Sequence, residues 1–273
     1  MEVNIYLIGA GFAFLTGSAI AWFVGNGAWN NPPRRSFAIV TESAAIWCLF
    51  PIMAAITADE LVNLSLVRLV YIAGTLTPAG IVYFMLAVTD DKRAKFRTTV
   101  LAIAYGISAC FALFSFHPMF ITGLIRYSPH FAPVPGNIFH LFVLFYIVAC
   151  LISFLVLVQN LAVADSQKKI QLQYVMLASI IAIFSPLFHF SGTYFNWEPF
   201  PHDFLFITYS SIIAYAIVKH QLLGIEVIIK RTLVFAGLVG SVVAVVSLVA
   251  FVSQDVLVRF VQIPKWLSNV LRR

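Results

Sequence analysis

Charge is what this chain has least of. Asp, Glu, Lys and Arg together make up 10% of 273 residues, against 61% apolar, and the mean hydropathy is +0.95. Soluble domains carry about 25% charged residues, so a soluble globular fold is excluded. Cysteine is nearly missing as well. Cys48, Cys110 and Cys150 all fall inside apolar runs, which excludes a disulfide framework and predicts buried, inert thiols. The paired carboxylates and metal-ligand spacings that hydrolysis inside a membrane needs are also absent. There is no internal repeat and no soluble domain. The net charge of +6 reads as a topology and lipid-headgroup signal, without nucleic-acid binding.

What the chain does contain is long apolar runs. A hydrocarbon layer about 30 Å thick needs roughly 20 apolar residues of helix to cross it. Runs of that kind lie at 3–24, 37–57, 65–88, 98–116, 139–158, 174–190, 204–218 and 232–252, the seventh being the shortest. They are continuously apolar and do not alternate with a period of two, so they read as helices and not as barrel strands. The first run lacks a basic leader and a small-residue cleavage site, and so reads as a span and not a signal peptide. The expected fold is an all-α polytopic membrane bundle: a seven-transmembrane core plus an eighth spanning helix.

Basic residues orient it. Arg34, Arg35, Lys92, Arg93, Lys95, Arg97, Lys168, Lys169, Lys219, Lys230 and Arg231 follow the odd-numbered spans, whereas Arg68 and Arg126 are alone on the other side before the C-terminal tail. The positive-inside rule therefore places the N-terminus outside and the loops after spans 1, 3, 5 and 7 in the cytoplasm.

Three features interrupt the apolar pattern. The connection 116–139 holds Pro118, Pro129, Pro133, Pro135 and Gly136 together with Phe120, Tyr127 and Phe131; it reads either as a lid over a pocket or as a loop anchored at the interface by its aromatics. Pro78 and Pro186 lie inside spans, where proline removes a backbone hydrogen bond; each could curve a helix for packing or open a cavity. Ionisable groups at depth are few. Glu42, near the end of its span, reads as reaching water or pairing with Arg34 or Arg35, and Arg68 lies near Asp59 and Glu60, where a local ion pair is expected. His117, His130, His140, His189 and His202 gather on the outer side with Glu198, Asp203, Tyr194 and Trp197. Their spacing matches no metal motif, although imidazole beside carboxylate is chemistry that can bind metal or respond to pH. Lys219, at the cytoplasmic end of its span, is too far from mid-membrane to hold a buried retinal.

The stretch 215–235, YAIVKHQLLGIEVIIKRTLVF, packs Lys219, His220, Glu226, Lys230 and Arg231 into an otherwise aliphatic strip between two spans. Read as AYAIVKHQLLGIEVIIKRTLVF from Ala214, it resembles the end-of-span-7 pattern of the seven-transmembrane input domain at the N-terminus of bacterial histidine kinases and some diguanylate cyclases. The resemblance covers roughly residues 5–235. It is supported by RRSFAIVTESAAIW entering span 2, by LVRLVYIAGTLTPAGIVYFMLAVT in span 3, and by IRYSPHFAPVPGNIFHLFVLFYIV approaching span 5. Gly224 departs from it, standing where the family often has Asp, and is expected to end helix 7.

The resemblance implies a sensory bundle at 1–223, a cytoplasmic elbow at 224–231, an eighth transmembrane helix at 232–253 and an amphipathic tail at 254–273, truncated before an output module. It implies a protein of the bacterial inner membrane that binds a small hydrophobic ligand and relays helix rearrangement to a cytosolic kinase or cyclase module, and it is compatible with a homodimer. No phospho-accepting dimerisation helix, ATP-binding domain or cyclase sequence stands in the chain, so it is not itself expected to be an enzyme, and no cofactor or metal is implied. The ligand-binding candidates are Arg68, Tyr71, His140, His189, Trp197 and Tyr209. The coupling candidates are Lys219, Gly224, Glu226, Lys230 and Arg231. A transporter is disfavoured, since paired Gly/Pro-broken helices in two inverted halves are not seen; a non-sensing membrane anchor is the plainer alternative.

The orientation is directly testable. In a cysteine-free background, Ser128→Cys should react with a membrane-impermeant maleimide added outside intact cells, and Ser166→Cys only after lysis. The reverse labelling would invert the topology.

Overall fold

The computed structural model describes residues 5–26, 30–56, 59–89, 94–127, 130–195 and 203–224. Within them the chain runs α1 (Ile5–Gly25), α2 (Pro32–Trp47), α3 (Phe50–Ala55), α4 (Glu60–Val88), α5 (Ala94–Phe114), β1 (Ile121–Tyr127), β2 (His130–Pro135), α6 (Asn137–Val163), α7 (Ser166–Phe195) and α8 (Asp203–His220), ending in a 3-10 turn at Leu222–Gly224. Among the described residues six stretches are long and apolar enough to cross a membrane, with α2 and α3 together forming one, and Asp203–Ile217 is a shorter apolar helix. This is the polytopic helical bundle that the composition requires. The expected eighth span at 232–252, and with it Glu226, Lys230 and Arg231, lies outside the described residues, as does Trp197.

Several helices run past their apolar windows because polar residues cap them. Asp59 accepts from the backbone N–H of Leu61 and Val62 at the start of α4. Asn31 accepts from Arg34 N at the start of α2, where Pro32 and Pro33 fill positions that need no donor. Asp165 does the same for Lys168 N in α7. α7 thereby reaches 30 residues and α4 reaches 29, each well beyond the hydrocarbon thickness.

The second span is broken in two. Pro51 has no N–H to donate toward the carbonyl of Trp47 four residues earlier, and α2 stops there. A turn through Cys48 and Leu49 connects to α3, with Leu49 N donating to Ile46 O at 3.0 Å and Met53 N to Leu49 O at 2.9 Å. The break fixes the Trp47 side chain at a helix end inside the bundle.

α4 is the most enclosed of the spans and α5 the least. α4 packs against α2, α3, α5 and α6, and α8 packs against α1 and α7. The poor cover of α5 leaves Cys110 exposed, contrary to the expectation of buried thiols; Cys150 is buried and Cys48 half-buried, and all three are free.

The connection between α5 and α6 is an antiparallel hairpin, not a structureless loop. Gly123 pairs with Val134, Ile125 with Ala132 and Arg126 with Phe131. Pro133 and Pro135 are compatible with β2 because each strand of a two-stranded hairpin has a free edge. Phe120 and Ile121 are fully buried against the bundle, which anchors the hairpin. Its base is clamped by Gly136 N donating to Phe120 O and Ile138 N donating to Met119 O, both at 2.9 Å. A Cβ at Gly136 would collide with the Met119 carbonyl, so only glycine fits there.

Three local expectations change. Arg68 reaches the hairpin, donating from Nη2 to Ile121 O at 2.6 Å, whereas Asp59 serves as a helix cap. Arg34 closes the end of α1, donating to Val24 O at 3.0 Å and Asn26 O at 2.9 Å, while Glu42 accepts from Ser18 Oγ of α1 at 3.2 Å. Gly224 does not end the seventh span. α8 stops at His220, where Gln221 (φ 54°) and Leu223 (φ 71°) take left-handed conformations. Gln171 Nε2 of α7 donates to the His220 carbonyl at 2.9 Å, answering a helix-end acceptor, and the His220 ring stacks on Tyr174 at 4.8 Å. That contact from α7, more than any glycine, sets where α8 ends.

Candidate functional site

Two polar groups meet deep in the bundle. Tyr71 of α4 and His189 of α7 share a hydrogen bond of 2.7 Å between the phenol oxygen and Nε2, with both side chains buried. In hydrocarbon each would be costly alone, and together they satisfy one another. Trp47 and Phe50 stand edge-on to the imidazole, each 5.1 Å away between ring centres. Phe120 and Phe139 stand edge-on to Tyr71, each at 5.8 Å. Such edge-to-face pairs add about 0.5–1.5 kcal/mol each beyond area burial. One aromatic cluster thus ties α2, α3, α4, α6, α7 and the hairpin together.

Below the cluster lies a cavity of about 100 Å³ between α2, α4, α6, α7 and α8. His189 forms part of its roof, and Trp47, Tyr146, Phe84, Phe154 and Tyr209 form much of its wall. Both intraspan prolines belong to this level. Pro186 lines the cavity together with Ala182, whose carbonyl loses its usual donor to the proline ring, and Pro78 lies between Thr77 and Ile81, which also line it. Gly74, four residues before Pro78, lets the Trp47 indole lie against the α4 backbone: a Cβ there would meet the indole at 3.1 Å.

Most polar groups of the wall are answered internally. Thr77 Oγ1 donates to Ser43 Oγ at 3.2 Å, and Ser179 Oγ to Val175 O at 2.7 Å. Ser153 Oγ and Trp47 Nε1 are buried and have no hydrogen-bond partner. With no Asp, Glu, Lys or Arg in the wall, the arrangement suits binding and offers no constellation for catalysis. Among the described residues no three His, Cys, Asp or Glu side chains gather as metal ligands would.

Of the sequence-derived ligand candidates, Tyr71, His189 and Tyr209 come together at or beside the cavity. Arg68 supports the hairpin. His140 Nδ1 lies 2.8 Å from Tyr194 OH where α6 begins and α7 ends, exposed and away from the cavity wall. Trp197 is outside the described residues. Of the coupling candidates, Lys219 is exposed in the last turn of α8 and Gly224 ends the 3-10 turn. Trp47 and Ser153 were not singled out from the sequence. Pro51 carries the signal for Trp47, since a proline frees the carbonyl four residues before it; nothing in the sequence distinguishes Ser153 from the other serines of the spans.

A family model described as the N-terminal 7TM region of histidine kinase matches residues 9–226. No curated protein and no solved structure matches the chain significantly.

The Tyr71–His189 bond is measurable by a double-mutant cycle of Tyr71→Phe and His189→Leu, following unfolding of the protein from bicelles. Hydrogen bonds inside membranes couple by about 0.6 kcal/mol on average and 1.7 kcal/mol at most. A coupling energy in the upper part of that range is expected here, because both groups are buried. A value indistinguishable from zero would remove the bond from the account.

Proposed function

The chain belongs to the family of N-terminal 7TM regions of histidine kinases, and from that membership we propose that its bundle binds a small ligand in the central cavity and passes the resulting helix shift to a cytosolic output module. That this is a multi-pass membrane input region, and not a catalytic module, follows from the family itself. The inner membrane as its location, the outside N-terminus, the ligand, the relay and a homodimeric assembly are parts of the proposal.

The observation that carries it is where the cavity sits. Its wall draws on five helices, α7 and α8 among them, and α8 is the last described helix before the segment that the sequence reads as an elbow. A ligand acts on an equilibrium only through different affinities for two states, and a cavity bounded by several mobile packing units supplies such a difference. On the cytoplasmic side α7 and α8 are joined by the Gln171–His220 hydrogen bond and the Tyr174–His220 stack. A shift of α7 at Pro186 therefore reaches Lys219 and the elbow at 224–231 through this joint. In this reading the charged side chains of Lys219, Glu226, Lys230 and Arg231 hold the elbow at the headgroups.

Coupling between sites is typically worth 1–3 kcal/mol, or about 5–150-fold in an equilibrium. With the chain joined to a histidine kinase output module in nanodiscs, Ala182→Phe, which fills the cavity, should change autophosphorylation at least about 5-fold. Reversing the charge of Lys230 and Arg231 should abolish that response. Unchanged autophosphorylation in the filled variant, with the protein intact, would leave only a membrane anchor.

A further inference from the structure

In a spanning helix a serine or threonine hydroxyl ordinarily donates to the carbonyl one turn back. Ser179, Thr208, Ser210 and Ser211 all do so, at 2.7–2.9 Å. Ser153 does not. It is 3% exposed, it lines the cavity, and its hydroxyl has no hydrogen-bond partner. The indole N–H of Trp47, on a residue 9% exposed in the same wall, makes no hydrogen bond of normal geometry either, although the Tyr71 phenol lies within its reach. Ser153 lies two turns along α6 from Tyr146, which packs on Trp47 at 5.9 Å, so the two polar atoms stand at different depths, on the order of 10 Å apart along the helix.

Size and charge narrow what could bond to them. At about 100 Å³ the cavity is somewhat smaller than the roughly 150 Å³ apolar cavity that holds benzene in an engineered protein. No charged side chain lines the wall to meet an anion or an ammonium group; the buried Asp203, which interacts with Cys48, stands outside the lining. Access narrows it further. Phe154 of α6 and Ser179, Ala182 and Ile183 of α7 line the cavity and are partly exposed, and they lie next along their helices to the exposed Leu151, Leu155 and Phe184. The α6–α7 side is therefore where the cavity lies near exposed, lipid-facing side chains.

We propose that this cavity binds an uncharged molecule of single-ring bulk carrying one hydroxyl or carbonyl oxygen, which enters sideways from the bilayer between α6 and α7 and pairs its oxygen with Ser153. Trp47 offers a second donor to a longer member of the same class. The proposal rests on the sensory reading for its purpose, although the binding chemistry stands on the cavity alone.

The test uses the full chain in nanodiscs, with binding read by fluorine NMR. The probes are 4-fluorobenzyl alcohol, 4-fluorotoluene and 4-fluorobenzoate. Saturable binding is expected for the first two, with the alcohol favoured at least fivefold, and none for the benzoate. Ser153→Ala should bring alcohol and toluene within twofold of each other. Two independent cavity-filling variants, Ala44→Leu and Ala182→Phe, should each remove saturable binding while circular dichroism reports whether the helices persist; if one fails to fold, the other decides. Signals that match protein-free nanodiscs, equal binding of the benzoate, or an undiminished alcohol preference in Ser153→Ala would overturn the proposal. If the filled variant alters kinase output while no probe binds, this ligand class falls and the sensory reading stands. If the probes bind saturably while kinase output ignores both probe and filling, the site stands and the sensory reading falls.

Discussion

Inside a bilayer core there is no water to satisfy a polar group, and this constraint organises the whole bundle. Each polar side chain that enters the apolar layer has to be answered by another part of the protein. Arg34 answers the free carbonyls at the end of α1, and Glu42 is met by Ser18. Arg35 donates from Nε to Tyr83 OH at 2.9 Å and lies over that ring. Tyr71 and His189 answer each other across α4 and α7. Other buried polar atoms among the described residues also lack a hydrogen-bond partner, Thr41 Oγ1 and Ser108 Oγ among them, but those of Ser153 and Trp47 line the cavity, and there a bound molecule would complete the hydrogen bonding.

The same constraint explains how a mostly featureless apolar chain acquires a defined interior. Between helices in lipid the hydrophobic effect gives little, and close packing and hydrogen bonds decide the geometry. Here Gly74 admits the Trp47 indole against α4, Pro51 ends α2 at Trp47, and Phe120 from the hairpin completes the aromatic cluster over the cavity. The hairpin is a structural roof, held by the clamp at Gly136 and by Arg68 on the Ile121 carbonyl. The proline-opened segments of α4 and α7 lie beneath this rigid roof.

Periodicity and composition made the helical bundle legible, and the polar punctuation at 215–235 pointed to the family. Span limits were less legible, because Asp59 and Asp165 extend α4 and α7 by capping them, an effect that an apolar window does not register. The hairpin was hidden because its strands are rich in proline and glycine, and its stability comes from docking Phe120 and Ile121 into the core. Tyr71 and His189 are 118 residues apart, and both were ligand-binding candidates; their pairing needed the fold. Gly224 misled for a local reason: the stop of α8 is imposed three residues earlier by a tertiary contact from Gln171.

The central claim is that occupying the cavity moves the cytoplasmic ends of the helices that form it. Nitroxide labels at Val163, the last residue of α6, and at Lys219, in the last turn of α8, are both exposed and lie on the predicted cytoplasmic side. Their separation can be measured by pulsed electron resonance in nanodiscs, with and without saturating 4-fluorobenzyl alcohol. The account predicts a shift in the distance distribution that is lost when Ala44→Leu fills the cavity. Identical distributions, under conditions where binding is independently saturated, would contradict it.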